Sequence, residues 1–302
     1  MNRRQFLVLS TAAASTTRAG AQNPDIPLIS FGLTTDVQYT DADPQGERHY
    51  RESMPKLKAA VADLAKEKLP FTLHLGDAID RDFASFPTIL PLFEPLGHPV
   101  RHLLGNHDYS VAENEKSKVI STLGMPGDYY TFENAGVKFV MLDTNEISSY
   151  KFPQGSSEDL TAEEIMKQSA SEKSSNNKPS IGGVSATQLD WLENELKESD
   201  AAKTPVIVCG HHPLLPATGH QAWNSQAISA VIKRHPCVRA YFCGHNHAGA
   251  EVIENGVPYI TFKSILHEPN ITAYAVVRLF KDKLVIEGRG RELSRVIPLA
   301  VG

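Results

Sequence analysis

Five short apolar runs in this chain lead the same way, directly or through one Gly, into a block of Asp, Asn, Gln or His. LISFGLTT at 28–35 leads into DVQ, FTLHL at 71–75 into GDAID, VRHLL at 100–104 into GNHD, PVIVC at 205–209 into GHHP, and VRAYFC at 238–243 into GHNH. A sixth run, VKFVML at 137–142, is of the same kind. Each is strand-sized and apolar on both alternating sides, the pattern of a strand covered on two faces. Helices must then lie against the sheets, and the intervening sequence supplies them.

Met54, Leu57, Val61 and Leu64 recur at spacings of three and four, as do Leu189, Leu192 and Leu196. Ser185 followed by Gln188 predicts a capping box for the second of these helices. A third helix is predicted over 225–234, with Ile228, Val231 and Ile232 facing inward. After residue 249 the character changes: AEVIENGVPYITF, TAYAVVRLF and KLVIEGRGRE read as strands separated by Asn-Gly and Lys-Asp turns. The order predicts an α/β start and an antiparallel finish around two sheets, with helices outside. Residues 148–180, rich in Ser, Lys, Glu and Asn, predict a solvated insertion, which reads either as a mobile loop or as a lid.

The chain begins MNRRQFLVLSTAAASTTRAGAQ, with Arg3 and Arg4 ahead of a short apolar run and an Ala-rich stretch. This is the pattern of a twin-arginine export signal cleaved after Ala21, leaving residues 22–302 as one domain exported to the periplasm or the medium. Removing residues 1–21 leaves 27 cations against 35 acids, a charge of −8 where the whole chain carries −5. Such a balance offers no broad basic surface for a nucleic-acid backbone. No later apolar run is long enough to span a bilayer, and the sequence carries no sign of oligomeric state. Cys209, Cys237 and Cys243 cannot all pair, and Cys209 and Cys243 end apolar runs as small buried hydrophobes. A disulfide scaffold is not expected, with Cys237–Cys243 the one pairing left open.

Chemistry enters at the strand ends. In open α/β sheets the crevice outside the carboxyl ends of the strands binds ligands, so Asp36, Gln38, Asp77, Asn106, His211, His245 and His247 can converge there. Oxygen and imidazole donors without thiolate suit Mn, Fe or Zn, whereas an all-oxygen shell would suit Mg or Ca. If two ions share the pocket, one carboxylate must bridge them. Two dications facing two carboxylates keep an excess of positive charge, which draws phosphate oxygens and acidifies water.

Together these blocks resemble the calcineurin-like metallophosphoesterases, with their D-x-H, G-D-x-x-D, G-N-H-[DE], H-x-P and G-H-x-H pattern, over essentially the whole mature chain. The resemblance implies a four-layer αββα sandwich of two mixed sheets flanked by helices. It implies that Asp36, Gln38, Asp77 and His247 hold one divalent ion and Asp77, Asn106, His211 and His245 the other. Under it His107 touches the leaving group, and a hydroxide shared by the two ions attacks phosphorus in line. The first-block His is Gln38 here. That departure favours Mn and is itself the pattern of the manganese-dependent ADP-ribose/CDP-alcohol diphosphatases, which DVQYTD, RHYRES, GGVSATQLDWLENEL, QAWNS, KRHPCVRAYFCGHNHAG and IEGRGRE also resemble. A small phosphorylated substrate, either of these diphosphates, is thereby implied.

Around this set, Asp80 and Asp108 either orient His107 for catalysis or cap their own turns. Arg48, His49 and Tyr50 are candidates for nucleotide contact, His212 is a neighbour of its ligating partner, and His74 and His102 read as core histidines. Two other functions use the same sequence. A broad phosphomonoesterase or phosphodiesterase would differ only in the pocket wall, and a noncatalytic metal-binding scaffold would show no hydrolysis.

Overall fold

All six apolar runs become strands in the computed structural model, which describes residues 26–171 and 174–300. The export segment expected at 1–21 lies outside the described residues. In the first sheet, β1 (Ile29–Thr34), β2 (Thr72–His74) and β3 (Val100–His102) run parallel. The second sheet has β4 (Tyr130–Asn134) antiparallel to β5 (Val137–Met141), then β6 (Val206–Cys209) and β7 (Val238–Cys243) parallel to β5. The hairpin of β8 (Ala250–Glu254) and β9 (Val257–Thr261) completes it, with β9 parallel to β7. The chain then returns to the first sheet as the antiparallel β10 (Ala273–Leu279), β11 (Lys283–Gly290) and β12 (Arg295–Pro298). The sheet orders are β12-β11-β10-β1-β2-β3 and β4-β5-β6-β7-β9-β8.

The helices among the described residues are α1 (Ser53–Leu64), α2 (Phe86–Ile89), α3 (Val119–Thr122), α4 (Ser157–Ser171), α5 (Ala186–Ala202) and α6 (Ser225–Arg234). Alternation along each strand sorts the apolar side chains into layers. Phe31 and Leu33 of β1, Phe139 and Met141 of β5, Ile207 of β6 and Phe242 of β7 form the core between the two sheets. Phe31 stacks on Phe71 with centroids 5.3 Å apart and meets Phe139 edge-on at the same separation. Each fully buried ring contributes about 1.5–3 kcal/mol, and an edge-on pair adds about 0.5–1.5 kcal/mol. The outer faces are covered separately. Leu57, Val61 and Leu64 of α1 pack with Val276 of β10, and Leu192 and Leu196 of α5 pack with Val206 and Val208 of β6. Two mixed sheets flanked by helices, as expected, make the four layers.

Several details depart from the sequence reading. β4 was not expected, because YTFEN is half polar and lies only partly buried at a sheet edge. The capping box of α5 is only half formed: the Ser185 hydroxyl accepts from Gln188 N at 3.1 Å, but the Gln188 side chain donates to Asp143 O and Glu146. Glu146 takes the Ser185 N–H instead, at 2.7 Å. The insertion 148–180 is not structureless, since it contains α4 and is anchored at both ends. At one end buried Lys151 pairs with Asp143 and Asp128, and at the other Asn176 donates to Gln221 O and Ala222 O. All three cysteines are buried and free. Among the described residues no helix is long and apolar enough to cross a membrane.

Candidate metal centre

β1, β2 and β3 in one sheet and β6 and β7 in the other point their carboxyl ends to the same edge, and the five polar blocks follow them directly. Backbone bonds then tie block to block. Asp36 N donates to Gly76 O at 3.1 Å, Gln38 N to Asp77 O at 2.9 Å, and Gly244 N to His211 O at 3.1 Å. The last of these joins the β6 and β7 blocks, and the Asp36 carboxylate crosses between the sheets by accepting from His245 N at 3.2 Å. Close approach explains two of the glycines. A Cβ on Gly105 would sit 2.0 Å from Asp77 Oδ1, and one on Gly244 2.3 Å from Asp36 Oδ2.

All seven expected donor residues come together. Asp36, Asp77 and His211 are fully buried, with donor atoms within 4.8 Å of one another. Around Asp36, His247 Nε2 lies 3.3 Å from Asp36 Oδ1 and 3.0 Å from Gln38 Nε2, which donates to Asp77 Oδ2 at 2.8 Å. On the other side, His211 Nε2 lies 3.3 Å from Asp77 Oδ2 and 3.2 Å from Asn106 Oδ1, and His245 Nδ1 is 3.0 Å from the same Asn106 oxygen. The contacts thus form two groups, and Asp77 belongs to both.

Two observations test whether cations fit here. Gln38 Oε1 and His245 Nε2 are buried without any hydrogen-bond partner, although such atoms are normally satisfied. Asp36, Gln38, Asp77 and His245 also hold left-handed backbone conformations, with φ of 50°, 45°, 58° and 62°. Each such residue costs on the order of 1–3 kcal/mol. Strain, orphaned lone pairs and buried carboxylates concentrated in one spot suit a cluster completed by divalent cations.

The neighbouring groups set the orientation and charge of the donors. His211 Nδ1 is 2.8 Å from Leu75 O, so it carries the proton and leaves Nε2 facing the cluster. Burial opposes charge on both His211 and Asp77, but their mutual attraction prevails. His211 is pushed up to about 9 and Asp77 held well below the usual carboxylate range. His107 Nδ1 lies 3.0 Å from Asp80 Oδ1, and the His107 backbone N–H donates to Asp77 Oδ1 at 2.8 Å. Burial lowers the affinity of His107 for a proton, yet Asp77 and Asp80 raise it overall.

Of the two acids with open roles, Asp80 reaches His107 and Asp108 does not. Asp108 Oδ2 accepts from Asp77 N at 3.0 Å and Gly105 N at 2.9 Å, and Oδ1 from Ala78 N at 2.8 Å and Ile79 N at 3.4 Å. It therefore locks the β2 block to the β3 block, the capping role rather than the orientation of His107. Burial and the Asp77 charge push its carboxyl up to about 7, against the pull of these donors.

Arg48 reaches the site, 3.8 Å from Asp80 Oδ1. Tyr50 does not, being buried with its hydroxyl donating to Gln45 Oε1, and nothing ties His49 to the cluster beyond its backbone N–H to Leu266 O. His212 spends both ring nitrogens on Thr144 Oγ1 and Ser180 O. His74 and His102 pack on each other and on Phe93 in the core.

Three contributors were not read from the sequence. His267 Nε2 lies 2.9 Å from His247 Nδ1, and the His220 ring packs against His245 with centroids 5.7 Å apart. Lys56 donates to the carbonyls of Leu266, His267 and Glu268 at 2.7–3.2 Å, fixing the loop that carries His267. Only Lys56 left a signal, as a lysine in the buried phase of an otherwise amphipathic helix.

The manganese-dependent ADP-ribose/CDP-alcohol diphosphatase of Oryza sativa subsp. japonica is 29% identical over 296 residues, covering 87% of this chain and 91% of its own. The Homo sapiens protein of the same name is 29% identical over 316 residues, covering 89% and 92%. The crystal structure of a dimetal phosphatase from Danio rerio superposes with a TM-score of 0.82 at 25% identity, covering 91% of this chain and all of that one. The family model for calcineurin-like phosphoesterases matches residues 29–249, which contain every one of the seven donors. The chain therefore belongs to the calcineurin-like phosphoesterase family, hydrolases of phosphate esters and anhydrides.

Proposed function

We propose that the protein hydrolyses the phosphoanhydride bond of a small nucleotide diphosphate, ADP-ribose or a CDP-alcohol, to a nucleoside monophosphate and a second phosphorylated product. The observation carrying this reading is the pair of donor groups sharing Asp77, in a chain whose relatives bear the diphosphatase name. Asp36, Gln38, Asp77 and His247 would hold one divalent ion and Asp77, Asn106, His211 and His245 the other, with manganese favoured by the amide of Gln38. Such ions supply Lewis-acid charge for phosphate oxygens and lower the pKa of water at the site.

The chain's own residues do the rest. His107, held by Asp80 at 3.0 Å, faces the departing oxygen and can hand it a proton as the P–O bond breaks. Arg48 adds positive charge on the same flank. Asp108 and the inter-block backbone bonds keep the donors from shifting as charge develops, which is the preorganisation electrostatic catalysis requires.

The test is a side-by-side assay under manganese with ADP-ribose, CDP-choline, bis(p-nitrophenyl) phosphate and p-nitrophenyl phosphate, together with metal analysis. Preference for the diphosphates and two manganese ions per chain are expected. Preference for p-nitrophenyl phosphate overturns the substrate class. Export is a separate proposal resting on Arg3 and Arg4, and a reporter fused after residue 22 that stays inside the cell would refute it.

A further inference from the structure

One positive side chain near the donors has no place in the assignments above. Lys178 lies in the loop after α4, which is fixed against the loop that precedes α6. Asn176 Nδ2 donates to Gln221 O at 3.3 Å and to Ala222 O at 3.2 Å. A Cβ on Gly219 would meet Ser175 O at 2.8 Å, so the loops touch at backbone distance. From this platform the Lys178 ammonium reaches His220 Nε2 at 3.5 Å, and the His220 ring packs on His245.

Lys178 is half-buried with its ammonium on His220, and among the described residues no carboxylate lies in ion-pair contact with it, although acids outnumber cations in the chain. A cation in that position beside a centre built to hold divalent cations is repelled by them, unless an anion lies between. Distance selects which anion. The ammonium is 3.5 Å from His220 Nε2 and the His220 and His245 ring centroids are 5.7 Å apart, so a substrate held at His245 that carries a second phosphate can extend past His220 toward Lys178. Lys178 is linked to the cluster through His220 and His245, and His107 through Asp77 and Asp80, so the two cations meet different donors.

We propose that Lys178, positioned by His220, receives the non-scissile phosphate and makes the site select diphosphates over monophosphates. The inference rests on the phosphohydrolase reading above and names its specificity determinant. Neither the donor cluster nor His107 distinguishes one phosphate from two, so such a determinant is required.

The experiment is calorimetric binding of methylenediphosphonate and of methylphosphonate to the full chain saturated with manganese. Lys178→Ala should weaken methylenediphosphonate about tenfold or more, the loss of one charge-assisted contact, and methylphosphonate less than about twofold. Lys178→Arg should restore most of the difference, and bound manganese should be the same in all three proteins. Equal losses for both ligands, or no loss for either, overturn the proposal. These ligands are not hydrolysed, so the result is independent of the substrate assay. An enzyme that prefers p-nitrophenyl phosphate yet shows the selective Lys178 effect refutes only the diphosphatase reading.

Discussion

Replacing Asp108 by Asn keeps the shape of the side chain but turns one acceptor oxygen into an NH2 donor and removes the charge, so it isolates what that carboxylate does. The best orientation of the amide keeps its oxygen at the Oδ2 position, where Asp77 N and Gly105 N still find an acceptor at about the native 3.0 and 2.9 Å. Its NH2 group then faces the N–H groups of Ala78 at 2.8 Å and Ile79 at 3.4 Å. A buried donor left without an acceptor costs about 1–3 kcal/mol. One well-formed bond and one long one give about 2–4 kcal/mol, and the donor–donor contact adds to it. For a chain of this size that is a fall in Tm of about 3–6 °C. The assay is urea denaturation of metal-stripped protein at pH 8, above the value near 7 for the Asp108 carboxyl, because bound ions would add their own stabilisation. The midpoint should drop at unchanged slope. Manganese affinity should also fall by about tenfold or more, since Asp77 and Asn106 ride on the two blocks Asp108 joins. An Asn variant within about 0.5 kcal/mol of the parent would show that these bonds do not hold the blocks together.

Under the proposed assignment, His107→Ala should keep its manganese and lose turnover by about a hundredfold or more, read by metal analysis beside steady-state kinetics. Full activity would remove His107 from the mechanism. Asp77→Asn should lose manganese from both positions, because both contact groups share that carboxylate; retention of two ions per chain would show that Asp77 is not common to them. Lys151→Met leaves Asp143 buried without its counter-charge and should destabilise the fold by about 3–5 kcal/mol in denaturation experiments. Adding Asp143→Asn should recover part of the loss, and purely additive effects would show that the pair is not coupled.

How far the site could be read in advance varies residue by residue. Asp36, Asp77, Asn106, His211, His245 and His247 were legible because each follows a strand whose apolar run is visible by itself, and parallel strands deliver their ends to one edge. β4 was obscured because an edge strand need not be apolar on both faces, and its YTFEN sequence is not. His220, His267 and Lys178 lie in loops without periodicity. What makes them relevant is a contact with a residue distant in sequence, which no local pattern encodes.

By itself the chain determined where most of the strands and the three long amphipathic helices α1, α5 and α6 form, which residues could ligate and what kind of cation they suit, since periodicity, turn chemistry and donor type are local properties. Tertiary structure decided the pairing of the two sheets, the sharing of Asp77, the separate duties of Asp80 and Asp108, and the partners of His245 and His247. These depend on distances of a few ångströms between segments far apart in the chain, 209 residues for Gln38 and His247. Such distances are set only when burial packs the whole chain at once.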